Sequence, residues 1–451
     1  MASASSPSVS SSTSFFSFPS SSSSSSRRTL ALVSRWWFRL AYGTITSLDL
    51  SRRQGISASQ FVSTVSLAPN LTSLQVALSG TDLITDAFIA LIAQVCPRLE
   101  RLSLFDNLRY GGAEHHVWTS GGLNSLFQRC TLLKDLSLAC PPSVTHLPAS
   151  IFQLAGLERL QIFSRLIVNL PEEIGGLQAL KALHVNAPRL TALPDSLSDL
   201  SNLQELSLEG CSDLTSVPDA VGHLLKLRAF HIVDNGFRAL ELPAYLTLLF
   251  SLEELEVGVH LRQLPEDFGN LINLRRMELR CPELTHLPSS LPQLSLLERL
   301  VISGGQQMVS LPETIGQLPA LRELRISCLS NLQTLPDSIG QLQQLRSLTI
   351  DCRGSLRVLP ESLVQLSALE TLEIVYCESL SSLPGGIHLL TSLQQLDLCE
   401  CPRIRELPDS ISLCKALECV SIEDCRALTN IPRGIQHRVI VERKGETIED
   451  W

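Results

Sequence analysis

Leu393-Gln394-Gln395-Leu396-Asp397-Leu398 and Leu203-Gln204-Glu205-Leu206-Ser207-Leu208 share one pattern, in which leucine occupies the first, fourth and sixth positions. The last three residues of each segment alternate between apolar and polar side chains. Successive side chains of a β-strand point to opposite sides, so alternation with a period of two indicates a strand. The pattern therefore predicts a short strand that buries its leucines and exposes its polar residues.

A proline preceded by an aliphatic residue follows these segments at a nearly constant interval of 22 to 25 residues. Repeat units of this length are too small to bury their own leucines, so neighbouring units must stack to form a continuous core. The prolines are Pro148, Pro171, Pro194, Pro218, Pro243, Pro265, Pro288, Pro312, Pro336, Pro360, Pro384, Pro408 and Pro432.

The stretch after each proline is helical in character, as Leu335-Pro336-Asp337-Ser338-Ile339-Gly340-Gln341-Leu342 illustrates. Proline suits the first position of a helix, where its missing N–H has no intrahelical partner to lose. The acid after it suits the positive end of the helix dipole. Ile339 and Leu342 are three residues apart and share a face, while Gly340 limits the length. We expect one or two helical turns or a 3₁₀ segment.

Stacking these units predicts an α/β solenoid. Paired strands lie about 4.8 Å apart, whereas packed helical segments need about 8–10 Å. The solenoid must therefore curve, with a parallel β-sheet on the concave side and short helices or 3₁₀ turns on the convex side.

The consensus L-x-x-L-x-L-x-x-[CN]-x-L-x-x-L-P-x-x-[IL]-x-x-L resembles the leucine-rich-repeat family and covers roughly residues 131–437. Its Leu-Pro and Ile-Gly-x-Leu elements resemble the intracellular Ras-group type and the repeats of plant disease-resistance receptors. The resemblance implies a right-handed superhelix. It also implies a non-catalytic scaffold that binds other proteins through its concave surface, in signalling or in defence recognition.

The chain upstream of the regular repeats is predicted to contain three regions. Residues 1–29 form a Ser-rich tail that we expect to be disordered; its lack of acids and its arginines also resemble an organelle transit peptide. Residues 30–44 predict an amphipathic N-terminal cap. Residues 45–130 predict longer, more helical repeats, with a helix within residues 84–99 capped by Thr85 or Asp86. These repeats resemble the cysteine-containing subtype.

Leu32–Ala41 resembles the last helix of an F-box. That resemblance implies an alternative function, a substrate receptor of a ubiquitin ligase that binds a Skp-type adaptor. At the other end, residues 131–437 hold the regular repeats, and the charged residues 438–451 predict a C-terminal cap with a polar outer face.

Composition restricts the partners and the compartment. The net charge is -9, and no stripe of clustered Lys and Arg is present, so we expect no nucleic-acid partner. No apolar run reaches the roughly 20 residues that cross a bilayer. The 13 cysteines are spread through a long chain, which favours a reducing, cytoplasmic location; an organelle is the alternative if the N-terminus is a transit peptide.

No phosphate-binding loop, kinase or hydrolase motif occurs in the sequence. We therefore predict no enzyme activity, no catalytic or metal-binding residue and no cofactor. Cysteines at eight strand exits could form a redox or metal set. Because they follow the repeat period, we interpret them as small residues that pack or bond backbone groups between units. They are Cys140, Cys211, Cys281, Cys328, Cys352, Cys377, Cys401 and Cys425.

The third, fifth and seventh positions of L-x-x-L-x-L-x are predicted to face solvent on the concave sheet. Acids outnumber arginines there, which indicates a mixed, acid-leaning surface; a merely hydrated surface is the alternative to a binding one. The candidate protein-binding residues are Phe163, His184, Glu205, Glu209, His231, Glu254, Glu256, Arg276, Glu278, Arg280, Arg325, Asp351, Glu373, Asp397 and Glu423.

Overall fold

The computed structural model describes residues 46–49, 70–77, 85–105, 118–233, 242–443 and 446–447. The predicted Ser-rich tail (1–29) and the F-box-like segment (30–44) lie outside the described residues. Of the predicted C-terminal cap (438–451), residues 438–443 and 446–447 are described. The division of the chain into five regions remains a prediction.

One continuous sheet runs through the described residues. Its first 17 strands pair in parallel, in the order of the sequence, and the last strand pairs antiparallel with the one before it. The strands are β1 Ser47–Asp49, β2 Ser73–Ala77, β3 Arg101–Phe105, β4 Asp135–Cys140, β5 Arg159–Ser164, β6 Ala182–Asn186, β7 Glu205–Glu209, β8 Ala229–Val233, β9 Glu254–Gly258, β10 Arg276–Arg280, β11 Arg299–Ser303, β12 Glu323–Ser327, β13 Ser347–Asp351, β14 Thr371–Val375, β15 Gln395–Cys399, β16 Cys419–Glu423, β17 Val439–Arg443 and β18 Glu446–Thr447.

The register of the parallel strands places equivalent residues of successive coils side by side. Leu324 pairs with Leu348, and Leu348 pairs with Leu372; all three are fully buried. The aliphatic residues of the sheet thereby join those of the turns in a single core that runs the length of the solenoid. Removing a buried leucine from such a core typically costs 2–5 kcal/mol or so of stability.

Short 3₁₀ turns lie on the side opposite the sheet, as the spacing predicted. Proline does not occupy their first position, which corrects the sequence-based expectation. Pro336 stands one residue earlier with extended backbone (φ -68°, ψ 148°), and its carbonyl accepts a hydrogen bond from the Ile339 N–H at 3.1 Å. The turns are Ala149–Gln153, Glu172–Gly176, Asp195–Asp199, Asp219–His223, Ala244–Leu248, Glu266–Asn270, Leu291–Gln293, Glu313–Gln317, Asp337–Gln341, Glu361–Gln365, Ile387–Leu389, Asp409–Leu413 and Arg433–Arg438.

The glycine of the turn permits close stacking of coils. An ideal Cβ on Gly340 would lie 2.3 Å from the carbonyl oxygen of Ser362 in the next coil. Glycine at this position therefore serves the contact between coils, whereas the sequence analysis assigned it only to limiting the helix. Because the strands are spaced more narrowly than the turns, the sheet forms the concave side.

Two α-helices precede the regular coils, α1 Asp86–Val95 and α2 Ser120–Arg129. The first confirms the helix predicted within residues 84–99, while the assignment of residues 45–130 to longer, more helical repeats remains a prediction. Thr85 is the N-cap residue of α1, but its side chain makes no capping hydrogen bond. The Asp86 carboxylate instead accepts hydrogen bonds from the Thr119 N–H at 2.6 Å and from the Thr119 hydroxyl at 2.8 Å.

Candidate protein-binding face

The sheet face consists of the first, third and fifth residues of strands β4 to β16. Strand geometry turns these side chains away from the core, because the second and fourth residues are the buried ones. All the candidate residues that the sequence predicted lie at these positions, and each is exposed or half-buried. The structure therefore places the candidates on one surface; their role in binding is a separate question.

Five of the candidates form a central charge cluster on β9 and β10: Glu254, Glu256, Arg276, Glu278 and Arg280. Arg276 pairs with Glu254 across the two strands. The Arg280 guanidinium lies 3.1 Å from a Glu256 carboxylate oxygen and 2.6 Å from a Glu278 carboxylate oxygen. Parallel pairing places Glu256 opposite Glu278, so Arg280 also offsets the repulsion between two adjacent carboxylates.

Further polar pairs lie on both sides of this cluster. His231 Nδ1 lies 3.6 Å from Glu256 Oε2, and His184 Nε2 lies 3.5 Å from Glu205 Oε1. On the C-terminal side, Arg299 lies 2.6 Å from Glu323. Polar pairs therefore occur in three groups along the face, on strands β6 and β7, on β8 to β10, and on β11 and β12.

A small recess of about 90 Å³ lies within the cluster, between strands β8 and β11. Its wall includes His231, Glu254, Arg276, Glu278 and Arg299. Pockets for small-molecule ligands usually measure about 300–1,000 Å³, so this recess is much smaller than such a pocket. Its lining offers both carboxylates and guanidinium groups, and therefore both hydrogen-bond acceptors and donors.

The C-terminal part of the sheet face is acidic. Asp351, Glu373, Asp397 and Glu423 occupy strands β13 to β16. The pKa of Asp351 is raised, mainly by burial and to a smaller extent by the nearby carboxylate of Glu373. The charges of Arg353 and Arg325 oppose this increase. Burial also raises the pKa of Asp397, although a hydrogen bond that the Gln395 amide donates at 2.6 Å lowers it in part.

The remaining candidates belong neither to the central charge cluster and its neighbouring pairs nor to the acidic part of the face. Phe163 is an exposed aromatic side chain on β5, and Glu209 is exposed at the end of β7. Arg325 on β12 is exposed beside the acidic part of the face, where its charge lowers the pKa of Asp351.

Sequence reasoning missed a ladder of charges at the residue immediately before many of the strands. Lys134 pairs with Glu100 at 3.0 Å, Lys181 with Glu158 at 2.9 Å and Arg346 with Glu370 at 3.2 Å. These residues occupy the second position of L-x-x-L-x-L, which the sequence analysis did not consider. Opposite charges at that position in neighbouring repeats were the signal that could have revealed it.

The structure confirms that cysteines at strand exits bond backbone carbonyls of the preceding coil, as Cys211, Cys281, Cys377, Cys401 and Cys425 do. The Cys211 thiol donates to the Val185 carbonyl at 3.5 Å, and the Cys401 thiol donates to the Ile374 carbonyl at 3.6 Å. None of the chain's 13 cysteines, all of which lie in the described residues, forms a disulfide. Burial raises the pKa of Cys140 to about 12, so this thiol stays protonated.

Cys328 departs from the predicted arrangement because its side chain is exposed. Its backbone is left-handed (φ 58°), and its N–H donates to the Asp351 carbonyl at 2.8 Å. Leu329, the next residue, is fully buried in its place. Because Cys328 itself adopts the left-handed conformation, the buried position after the strand falls one residue later in the sequence, and Cys328 faces solvent.

Within the described ranges, no group of three or more His, Cys, Asp or Glu side chains is arranged to hold a metal ion. The thiol of Cys399, two residues before Cys401 in the sequence, donates a hydrogen bond to the Glu423 carboxylate at 3.4 Å. Among the helices that the structure describes, none has the length and apolar character needed to cross a membrane.

The family model described as "Leucine-rich repeat region" matches residues 114–257 and 240–382, which is more than half of the chain. TMV resistance protein N of Nicotiana glutinosa is 32% identical over 24% of this chain and 12% of its own length. Disease resistance protein RPS4B of Arabidopsis thaliana is 34% identical over 23% of this chain and 8% of its own length. The chain thus spans only a small part of these relatives.

Solved structures share the fold. A leucine-rich-repeat protein of Leptospira interrogans has a TM-score of 0.58 at 24% identity and covers 81% of this chain and 93% of its own. The Drosophila Toll–Spatzle complex gives a TM-score of 0.63 at 17% identity, over 89% of this chain and 60% of that one. The match to the family model, the repeat period and the continuous parallel sheet together show that the chain belongs to the leucine-rich-repeat family.

Proposed function

We propose that the chain is a non-catalytic scaffold that binds a partner protein on its sheet face. The central charge cluster carries this proposal. Charged groups that are already paired and held in place lose little conformational freedom on binding. Complementary charges across an interface also favour the correct partner and disfavour others.

The proposed role lies in signalling or defence recognition, inside the cytoplasm. Its support is the likeness of about a quarter of the chain to each of two plant disease-resistance proteins. Those proteins are much longer than the matched segments, so a shared partner or pathway is part of the proposal. Repeat frameworks of one architecture serve many functions.

A charge-swap variant tests the proposal while keeping the ion pairs between β9 and β10. Glu254→Arg with Arg276→Glu, and Glu256→Arg with Arg280→Glu, invert the pattern of charge on β9 and β10 but retain a cation opposite each anion. Exposed ion pairs contribute only about 0–1 kcal/mol each, so we expect the variant to fold like the wild type. A matched control inverts four exposed charges outside the strands: Glu361→Arg, Asp409→Arg, Arg403→Glu and Arg405→Glu.

Each protein is used to capture partners from the cells that express it, and the bound proteins are quantified by mass spectrometry. We expect the charge-swap variant to lose at least one partner that the wild type and the control variant both retain. Identical partner sets for all three proteins would contradict binding on this part of the sheet face.

A further inference from the structure

Three consecutive coils expose an apolar side chain at the same place on their flank. Leu225, Phe250 and Ile272 are 62%, 47% and 52% exposed. Each lies in the short turn between a 3₁₀ turn and the following strand, leading into β8, β9 and β10 respectively. We call these three residues the flank patch.

The other regular coils do not carry a large apolar residue at this position. The equivalent residues are Ala155, Gln178, Ser201, Ser295, Pro319, Gln343, Ser367, Thr391 and Lys415. Single exposed apolar residues are ordinary on protein surfaces, but a contiguous group marks an interaction site. Tyr245 and Leu248, in the 3₁₀ turn before Phe250, are also exposed and enlarge the apolar area.

A polar cleft of about 310 Å³ adjoins the flank patch. Lys226, Ser251 and Asn273 line it, and each directly follows a patch residue in the sequence. Arg228, Glu253 and Arg275 line it as well. Three cations and one carboxylate thus face the cleft, although the whole chain carries a net charge of -9.

The carboxylates near these cations do not neutralise all of their positive charge. Lys226 Nζ donates to the neutral Asn202 amide oxygen at 2.7 Å. Arg228 lies 3.6 Å from Glu253. Arg275 pairs with Glu298 at 2.9 Å, and Glu298 also lies 3.7 Å from Arg322, so one carboxylate serves two guanidinium groups. An approaching anion is therefore favoured at this cleft.

The backbone under the patch is held in place. The Asn273 side-chain amide donates to the Phe250 carbonyl at 2.7 Å, which fixes the turn of one coil to the next. The strands that follow the patch residues lie about 4.8 Å apart, and the spacing between coils widens away from the sheet. Side chains three or four residues apart on an α-helix are spaced by about 5–6 Å. The spacing of the patch therefore matches one face of a helix that lies across the coils.

We propose that the flank patch and its cleft form a second docking surface, whose occupant is an acidic amphipathic helix of a partner protein. Apolar side chains of that helix would cover Leu225, Phe250 and Ile272, and its carboxylates would face Lys226, Arg228 and Arg275. This surface lies off the sheet face, so the inference does not rest on the proposed function.

The probe is a phage-displayed library of random 16-mer peptides (length chosen as roughly four helical turns), selected on the wild-type chain. The patch variant is Leu225→Gln, Phe250→Ser and Ile272→Ser, which introduces the residue types of other coils. The control variant is Leu389→Gln and Leu413→Gln, two exposed leucines elsewhere in the 3₁₀ turns. A third variant, Lys226→Glu with Arg275→Glu, tests the charge of the cleft.

We expect enriched peptides that combine spaced apolar residues with a net negative charge. Their affinity should fall at least roughly tenfold in the patch variant and in the cleft variant, and remain unchanged in the control and in the sheet-face charge-swap variant. Circular dichroism checks that each variant folds.

The proposal is overturned if no enriched peptide loses affinity in the patch variant, or if the peptides that do are basic. It is also overturned if sedimentation shows that the wild type self-associates through the patch, since the occupant would then be a second copy of the chain.

Discussion

The carboxylate of Asp86 fills the space that a side chain at residue 122 would need, because an ideal Cβ on Gly122 would lie 2.3 Å from Asp86 Oδ1. The same carboxylate accepts two hydrogen bonds from Thr119, and the Thr119 hydroxyl in turn accepts one from the Gly121 N–H at the start of α2. One half-buried contact thus joins the beginnings of the two helices.

Asp86→Ala is expected to lower the free energy of unfolding by about 1–3 kcal/mol, because two donors of Thr119 lose their acceptor. Urea unfolding followed by circular dichroism measures the change. Asp219→Ala, at an exposed acid in a 3₁₀ turn, is the control and should have little effect. Gly122→Ala should cost less in the Asp86→Ala background than in the wild type; equal costs would argue against the contact.

Gly340→Ala is expected to destabilise the protein by about 1–3 kcal/mol, because the new methyl group would collide with the Ser362 carbonyl of the next coil. Gly385 is the matched control, since an added Cβ there meets no atom within 4 Å. Thermal unfolding of the two variants compares them directly. Equal melting temperatures for Gly340→Ala and Gly385→Ala would show that the coils can move apart at no cost.

Cys328 is expected to react first when the native protein meets a thiol-specific alkylating reagent at about pH 8. It is the one exposed cysteine among the 13, and the thiolate is the reactive form of a thiol. Burial raises the pKa of Cys352 to about 12, so that thiol should react only after unfolding. Peptide mass spectrometry over time identifies the modified residues. Modification of Cys352 at the rate of Cys328 would contradict the structure.

Asp351→Asn combined with Asp397→Asn is expected to stabilise the protein at neutral pH. The pKa of each carboxyl is raised in the folded state, mainly by burial, so the ionised forms oppose folding at pH values above the raised pKa. The penalty disappears as the pH falls through the ordinary aspartate range near 4.

Urea midpoints at several pH values measure this effect. The gain over the wild type should be largest near pH 7 and should vanish below about pH 4. Glu378→Gln, at an exposed carboxylate, should show no such dependence. If the variant remained more stable than the wild type at low pH, the two asparagines would stabilise the protein by a means other than removal of charge.

The repeat period and the alternation of leucines predicted the fold because both follow from burial. Leu348 and Ile350 are buried and Asp351 is partly exposed, as a period of two requires. The sequence also placed the candidate residues of the sheet face on one surface, since each depends only on its position within a strand.

Features that depend on contacts between coils could not be predicted in the same way. Cys328 was expected at a buried position, but the left-handed backbone of its strand exit moved that position to Leu329. Gly340 was predicted only to limit the length of its own helical turn, whereas it permits the close approach of Ser362 in the next coil. The pairing of Arg280 with both Glu256 and Glu278 depends on rotamers, which a repeat pattern does not specify.

The unchanged register from coil to coil has an evolutionary consequence. Gain or loss of one whole coil of 24 residues, such as the interval from Pro336 to Pro360, would leave every leucine in register and the core intact. The same event would move the acidic strands by one step of about 4.8 Å relative to the Arg and Glu side chains of β9 and β10. Unequal recombination could therefore alter which molecules this protein recognises in discrete increments, without passing through an unstable intermediate.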